Sequence, residues 1–217
     1  MKHLLSRFLR SPETADTPSP RPDDSSFFAT QVMEREEDTR LMAPWHERAS
    51  ALGARPYDTA QGLAQLLQWL RQDPVFAGLE GLDLAVLGGY FEFVQVDSGR
   101  QIIGQDEQGD YLVVLLQGVV GDDRLQPSGA KVRINESRAG DVLGEMSVLD
   151  GGTRFCSCTA LTPLIAAVLP SQALAAMMDD DPRLAAALLA WIAKRLSLRL
   201  RQVSARLSVQ LARGGTE

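Results

Sequence analysis

From Phe91 to Thr159 the chain alternates short β-forming runs with turns built on Gly, Asp and Asn, and no other feature constrains the fold as tightly. The runs are Phe91 to Val96, Gln101 to Ile103, Tyr111 to Leu116, Lys131 to Ile134 and Phe155 to Thr159. Short strands at this spacing predict a mainly β domain of the sandwich or jelly-roll kind. No internal repeat of useful length is visible, so one such domain is expected and not a tandem pair.

Helical patterns flank the strands. From Tyr57, Leu63, Leu66, Leu67 and Leu70 recur at helical spacing, with Asp58 or Thr59 as cap and Pro74 as terminator. Phe76, Leu79, Leu82, Leu84 and Leu87 predict a second short helical stretch. Pro182, preceded by Asp181 as its cap, opens a helical pattern that runs to about Arg213. Along it Leu189, Ile192, Leu196, Leu200, Val203, Leu207 and Leu211 step by three or four residues and form a narrow apolar seam. A helix this long outruns its own domain. Its remote half therefore predicts a twin helix from a second copy of the chain, paired nearly straight or with a weak right-handed twist. Arg183, Lys194, Arg195, Arg199, Arg201, Arg206 and Arg213 lie on it, with no acidic residue between 182 and 213. These read mainly as a solvated face.

The residues before the domain divide in two. Leu4, Leu5, Phe8 and Leu9 share one face of a short basic amphipathic segment over residues 1–10, a weak peripheral membrane or protein contact at most. Residues 11 to about 40 contain Pro12, Pro18, Pro20 and Pro22 and read as a solvated, acidic linker. The expected organisation is an extension over 1–42, a helical lead-in and β domain over 43–181, and a long helix with a dimerisation role over 182–217.

Chemistry concentrates in the run from Gly144 to Ser157, GEMSVLDGGTRFCS. Glu145 and Arg154 stand nine residues apart, separated by a short apolar turn and Gly151-Gly152. A guanidinium forks onto two phosphate oxygens, a carboxylate accepts from a sugar hydroxyl, and N–H groups at the start of a helical turn add donors toward an anion. A cyclic phosphodiester fused to a ribose is met by that combination.

This run resembles the phosphate-binding cassette of cyclic-nucleotide-binding domains, the family of the catabolite activator protein and the protein kinase A regulatory subunits. The resemblance covers about Asp73 to Leu207 and includes glycine punctuation at Gly99, Gly109-Asp110, Gly118 and Gly140-Asp141. It implies a β-roll (double-stranded β-helix) with N-terminal helices and a long C-terminal helix. It also implies that Arg154 binds the exocyclic phosphate oxygens, that Glu145 takes the ribose 2′-hydroxyl and helps fix the arginine, and that Gly144 leaves room for the ligand. Ser157 is implied to reach phosphate or a purine edge, and Arg195 the base. Ile134 and Leu143 are read either as an apolar wall beside the base or as ordinary core packing, and Met146 and Phe155 complete the set that the resemblance implies. Two positions depart from the family pattern: Phe155 stands where a small residue is usual, and Thr153 where Pro is frequent. Arg199 and Leu200 occupy positions where the catabolite activator family carries hydroxyl groups for adenine.

The resemblance implies a cyclic AMP sensor first and a cyclic GMP sensor second, with cyclic di-GMP left open through the stacking face of Phe155. A ligand-free dimeric scaffold is the rival. With 22 Lys and Arg against 28 Asp and Glu, net charge −6, the chain is a poor nucleic-acid binder. About ten residues follow Leu207, so no helix-turn-helix is expected after the long helix, and regulation of a protein partner in trans is expected instead. Cys156 and Cys158 share one face of a strand and read as small core residues in a reducing, cytoplasmic compartment. With only His3 and His46 available as further ligands, both before the strand region, no metal is expected. No catalytic triad, metal cluster or P-loop is seen, and no enzyme is expected.

Overall fold

The computed structural model describes residues 44–77 and 84–214. The amphipathic segment and linker read from the sequence lie outside the described residues. Helix α1 (Trp45–Leu52) leads through β1 (Arg55–Pro56) to α2 (Thr59–Leu70), whose N-terminus is capped by the Asp58 carboxylate accepting from Gln61 N–H at 2.8 Å. Short helices α3 (Pro74–Ala77) and α4 (Leu87–Tyr90) follow, the second preceded by a 3₁₀ turn at Leu84–Val86.

Eight strands come next: β2 (Glu92–Val96), β3 (Gln101–Ile103), β4 (Tyr111–Gln117), β5 (Val119–Leu125), β6 (Lys131–Arg138), β7 (Val142–Leu143), β8 (Ser157–Ala160) and β9 (Leu164–Pro170). Helix α5 (Glu145–Asp150) separates β7 from β8, and α6 (Ser171–Asp180) and α7 (Pro182–Gly214) close the chain. All strand pairs are antiparallel. They form a five-stranded sheet in the order β1-β2-β9-β4-β7 and a four-stranded sheet in the order β3-β8-β5-β6.

Strand β4 shows why the roll and its helices form one body. Its residues 111–116, YLVVLL, are all buried, which is the mark of a strand covered on both faces. Tyr111, Val113 and Leu115 point between the sheets and meet Val94, Ile102, Val120 and Val168. Leu112, Val114 and Leu116 point to the helices and meet Leu66, Leu70, Leu188 and Trp191. The first half of α7 is thus core, with Leu184, Leu188, Trp191 and Ile192 buried, while Leu200, Val203, Leu207 and Leu211 are exposed.

Three differences from the sequence reading have physical causes. Strand β5 (VVGDDRL) and the outer half of β6 (NESR) went unread because Gly, Asp, Asn and Ser disfavour strands locally. In the fold Asp122, Asn135 and Ser137 satisfy one another across the ladder, which removes that penalty. Strand β9 (LIAAVLP) was also unread, its two alanines lacking β preference; it is the central strand between β2 and β4. Asp181 does not cap α7 with its side chain. Its carboxylate accepts from the Tyr90 hydroxyl at 2.7 Å, holding that phenol's pKa up at about 12, while its carbonyl takes the Leu184 and Ala185 N–H groups.

No described helix is long and apolar enough to cross a membrane. Because Leu188 is fully buried where α7 meets the roll, Leu188→Ala is expected to cost about 2–5 kcal/mol, read as a lower urea midpoint with an unchanged denaturant slope.

Candidate functional site

Strand β7 delivers the chain to Gly144, which sits in the left-handed region with φ 72°. A Cβ there would overlap the Arg154 guanidinium and press on Ile103, so glycine is required both by the backbone and by the close approach. The turn starts α5, placing Glu145 at its first position and burying Ser147 and Val148. The helix stops at Gly151, again left-handed, and the chain returns through Arg154 into β8.

Arg154 is only 2% exposed. Its Nη1 donates to the Gly144 carbonyl and its Nη2 to the Tyr111 carbonyl, both at 2.6 Å. The guanidinium also lies 4.7 Å from the centroid of the Tyr111 ring, which in turn packs on Trp45 at 5.1 Å. Gly109 passes so close to the guanidinium that a side chain there would collide with it. Burial pushes the Arg154 pKa down, with Tyr111 first among the groups opposing it. Two of its five N–H donors are thus spent on backbone, and the others are left for an anion.

Glu145 is 3% exposed, and burial pushes its pKa up. Arg199 of α7 opposes this: its Nη1 donates to Glu145 Oε1 at 2.7 Å and its Nη2 to the Val142 carbonyl at 3.1 Å. The sequence reading gave Glu145 the task of fixing Arg154. Instead, two backbone carbonyls fix Arg154, and the carboxylate pairs with the long helix. One turn before Arg199, Arg195 lies 4.1 Å from the centroid of the Trp191 ring, its Nε buried without a partner.

These groups surround one cavity of about 460 Å³ between the cassette, the β5–β6 hairpin and α7. Of the residues singled out from sequence, Ile134, Leu143, Gly144, Glu145, Met146, Arg154, Phe155 and Arg195 line it. Ser157 is not among the lining residues. Its hydroxyl accepts the Gln105 N–H at 3.1 Å, so the fold spends it on a loop. The Phe155 ring is half exposed and carries the Arg124 guanidinium at 4.3 Å, so it forms wall and does not plug the space. Sequence reasoning missed Arg199, Asp122 and Asn135, which line the cavity; Cys156 and Cys158, read as core, do belong to the core between the sheets and also reach the cavity wall. Arg199 had a usable signal, since it is four residues from Arg195 and shares its helix face. Among the described residues no group of three or more His, Cys, Asp or Glu is placed to hold a metal ion.

Residues 93–181 match the family model described as cyclic nucleotide-binding domain. A CRP-like cAMP-activated global transcriptional regulator of Mycobacterium tuberculosis is 30% identical over 122 residues, 56% of this chain and 54% of that protein. The chain spans about half the length of the curated relatives it matches. The crystal structure of a cyclic nucleotide-binding domain from Methylobacillus flagellatus is similar with TM-score 0.61 and 26% identity, over 68% of this chain and 83% of that one. The Thermus thermophilus catabolite activator protein is similar with TM-score 0.53 and 27% identity, over 64% and 63%.

The Glu145–Arg199 pair sets a pH dependence. A buried carboxyl with a raised pKa binds more protons folded than unfolded, so stability falls as pH rises from its unfolded toward its folded pKa. Arg199→Met removes the opposing charge, which raises the Glu145 pKa further and widens that window upward. The variant is expected to lose about 1–3 kcal/mol at neutral pH and to recover part of it in acid, measured as urea midpoints against pH.

Proposed function

We propose that residues 93–181, a cyclic nucleotide-binding domain by family, bind a cyclic mononucleotide in the cavity beside α5 and pass its occupancy to α7. The observation that carries this reading is the placement of Glu145 and Arg154 on either side of Gly144, in one cavity, with Glu145 already tied to the long helix. Arg154 offers its remaining N–H donors to the exocyclic oxygens. Glu145 accepts the ribose 2′-hydroxyl. The volume of about 460 Å³ falls within the range of roughly 300–1,000 Å³ usual for small-ligand pockets. Cyclic AMP is the first candidate and cyclic GMP the second. Cyclic di-GMP ranks lower, because Arg124 already covers the Phe155 ring that would have stacked on it.

The output follows from hydrogen-bond competition. A ribose hydroxyl donating to Glu145 competes with Arg199 for the same carboxylate. The phosphate adds an anion beside Arg154 and Arg199. Ligand therefore has different affinities for the state in which Arg199 is locked to the cassette and the state in which it is released, and this difference is what shifts a population.

Leu200, Leu207 and Leu211, each more than half exposed, continue the seam together with Val203, which also lines the cavity, and are the surface for a homodimer. A protein partner, not DNA, is the regulated target, in keeping with the net charge of −6.

Calorimetric titration of cyclic AMP, cyclic GMP and cyclic di-GMP into the full chain is expected to show micromolar or tighter binding for at least one mononucleotide. Arg154→Ala should weaken it about tenfold to a hundredfold, the worth of roughly 1.5–3 kcal/mol for a charge-assisted contact. Glu145→Gln should weaken it with the fold intact by circular dichroism. No heat with any of the three would favour the ligand-free scaffold. In sedimentation, Leu207→Glu with Leu211→Glu is expected to convert a dimer to a monomer; an unchanged mass would rule out the seam as its interface.

A further inference from the structure

We propose that Cys156, Cys158 and Asp122 form a hydroperoxide-sensitive thiol site in the wall of this same cavity, closing a reversible Cys156–Cys158 disulfide. The thiol chemistry stands by itself, and only its effect on nucleotide affinity rests on the function proposed above.

The geometry is unusual for two core cysteines. Cys156 sits in a bend just before β8, Cys158 is the second residue of β8, and both line the cavity. Fully extended, residues two apart are separated by about 6.6 Å, near the upper edge of the roughly 4.4–6.8 Å that a disulfide spans. The bend at Phe155 and Cys156 shortens that spacing. Both thiols face the same cavity, and each shifts the ionisation of the other. Cys156 is half-buried and Cys158 is buried, so the first meets solutes and the second waits behind it.

Asp122 is the third member. It is the cross-strand partner of Cys158 in the β5–β8 ladder and of Asn135 in the β5–β6 ladder. Only 6% of it is exposed. Its Oδ2 accepts from the Ser137 hydroxyl at 2.6 Å and from Asn135 Nδ2 at 3.2 Å. Its Oδ1 is sealed from solvent and takes no hydrogen bond, although Asp122 stands opposite Cys158 in the ladder. A buried acceptor left idle beside a thiol costs stability and finds no use in packing. It has a use as the place to which the Cys158 proton goes. Burial makes this carboxyl readier to hold a proton than a surface aspartate. The neighbouring Cys158 thiol favours the Cys156 thiolate, while burial, Asp122 and Glu145 oppose it and Arg199 favours it; the Cys158 thiol is pushed well up by Cys156 and by burial. Cys156 is therefore the attacking sulfur.

The reaction balances with a hydroperoxide as oxidant. The Cys156 thiolate attacks the distal peroxide oxygen, the O–O bond breaks, and the sulfur becomes a sulfenic acid while water or an alcohol leaves. Cys158 then gives its proton to Asp122, and its sulfur displaces hydroxide from Cys156 Sγ. That hydroxide leaves as water. Both sulfurs are oxidised by one electron each, and one peroxide is reduced. Closure moves Cys156, and with it Phe155 and Arg154, the next two residues back along the cavity wall. Oxidation is thus expected to weaken nucleotide binding, and bound nucleotide to shield Cys156.

Intact mass spectrometry of the full chain tests this. Hydrogen peroxide should remove two hydrogens and both free thiols, and dithiothreitol should restore them. Cys158→Ser should stop at a sulfenic acid on Cys156 that dimedone traps; Cys156→Ser should stay unreactive. Asp122→Asn should close roughly tenfold more slowly or worse, as loss of a proton acceptor requires, with folding checked by circular dichroism. Persistence of both thiols, dimedone on Cys158 in place of Cys156, or an unchanged rate in Asp122→Asn each overturns the site as drawn. Disulfide closure with no calorimetric response to any nucleotide would leave the thiol site standing and remove the function proposed above.

Discussion

A carboxylate taken out of water must be repaid by a partner, and Glu145 finds its partner on another element. Desolvating a single charge costs several kcal/mol even after relaxation. Glu145 meets that cost with Arg199, which reaches from α7 and also donates to the Val142 carbonyl at the end of β7. The cassette and the long helix are therefore one electrostatic unit. Arg154, the opposite charge a few ångströms of backbone away, is handled differently. It rests on two neutral carbonyls and an aromatic face, which orient it without neutralising it. One site thus holds an anion whose burial is partly offset by the long helix and an oriented cation whose charge is not cancelled.

The two sheets divide the work. The five-stranded sheet is apolar on both faces where β4 and β9 cross it, and it carries the helices. The four-stranded sheet is apolar only toward the middle of the roll. Near the cavity its inner face turns polar at Asp122, Asn135 and Ser137, a hydrogen-bonded row across β5 and β6. A polar row inside a β-roll is tolerated when its members satisfy one another. Here one carboxylate oxygen is left over, and it lies beside the thiol of β8. The row explains the cavity as much as the cassette does, because large apolar side chains at those positions would have filled the space.

What the sequence made legible follows the same division. Strands with β-branched and aromatic residues, such as β2, β3 and β4, were readable because local preference and tertiary role agree. β5 and the end of β6 were unreadable because their polar residues are satisfied only by each other across the ladder, and no local rule sees a cross-strand partner. The same holds at the site. Gly144, Glu145 and Arg154 lie in one continuous run and could be read together. Arg199 is 54 residues from Glu145, and their meeting depends on how α7 packs. Ser157 looked like a ligand donor by its place in the run, but its hydroxyl is used by Gln105 on a neighbouring loop.

The anchoring of α7 shows where a signal would leave the domain. Its first half is held by burial through Ile192 and then by two side chains that reach other elements: Lys194 on Asp73 at 2.8 Å and Arg199 on Glu145. Among the described residues, no α7 side chain beyond Arg199 bonds to the roll. Arg199 is therefore the last bonded contact of the helix with the roll, although Gln202, Val203 and Arg206 still line the cavity one and two turns further on. A contact inside the core is buttressed by its neighbours and changes little when one partner is perturbed. A last contact is not, and its loss reaches the helix beyond it. In the function proposed above, the carboxylate that would meet the ribose stands at that last bonded contact and not deeper, where a small change in its hydrogen bonding would reach the exposed helix beyond it.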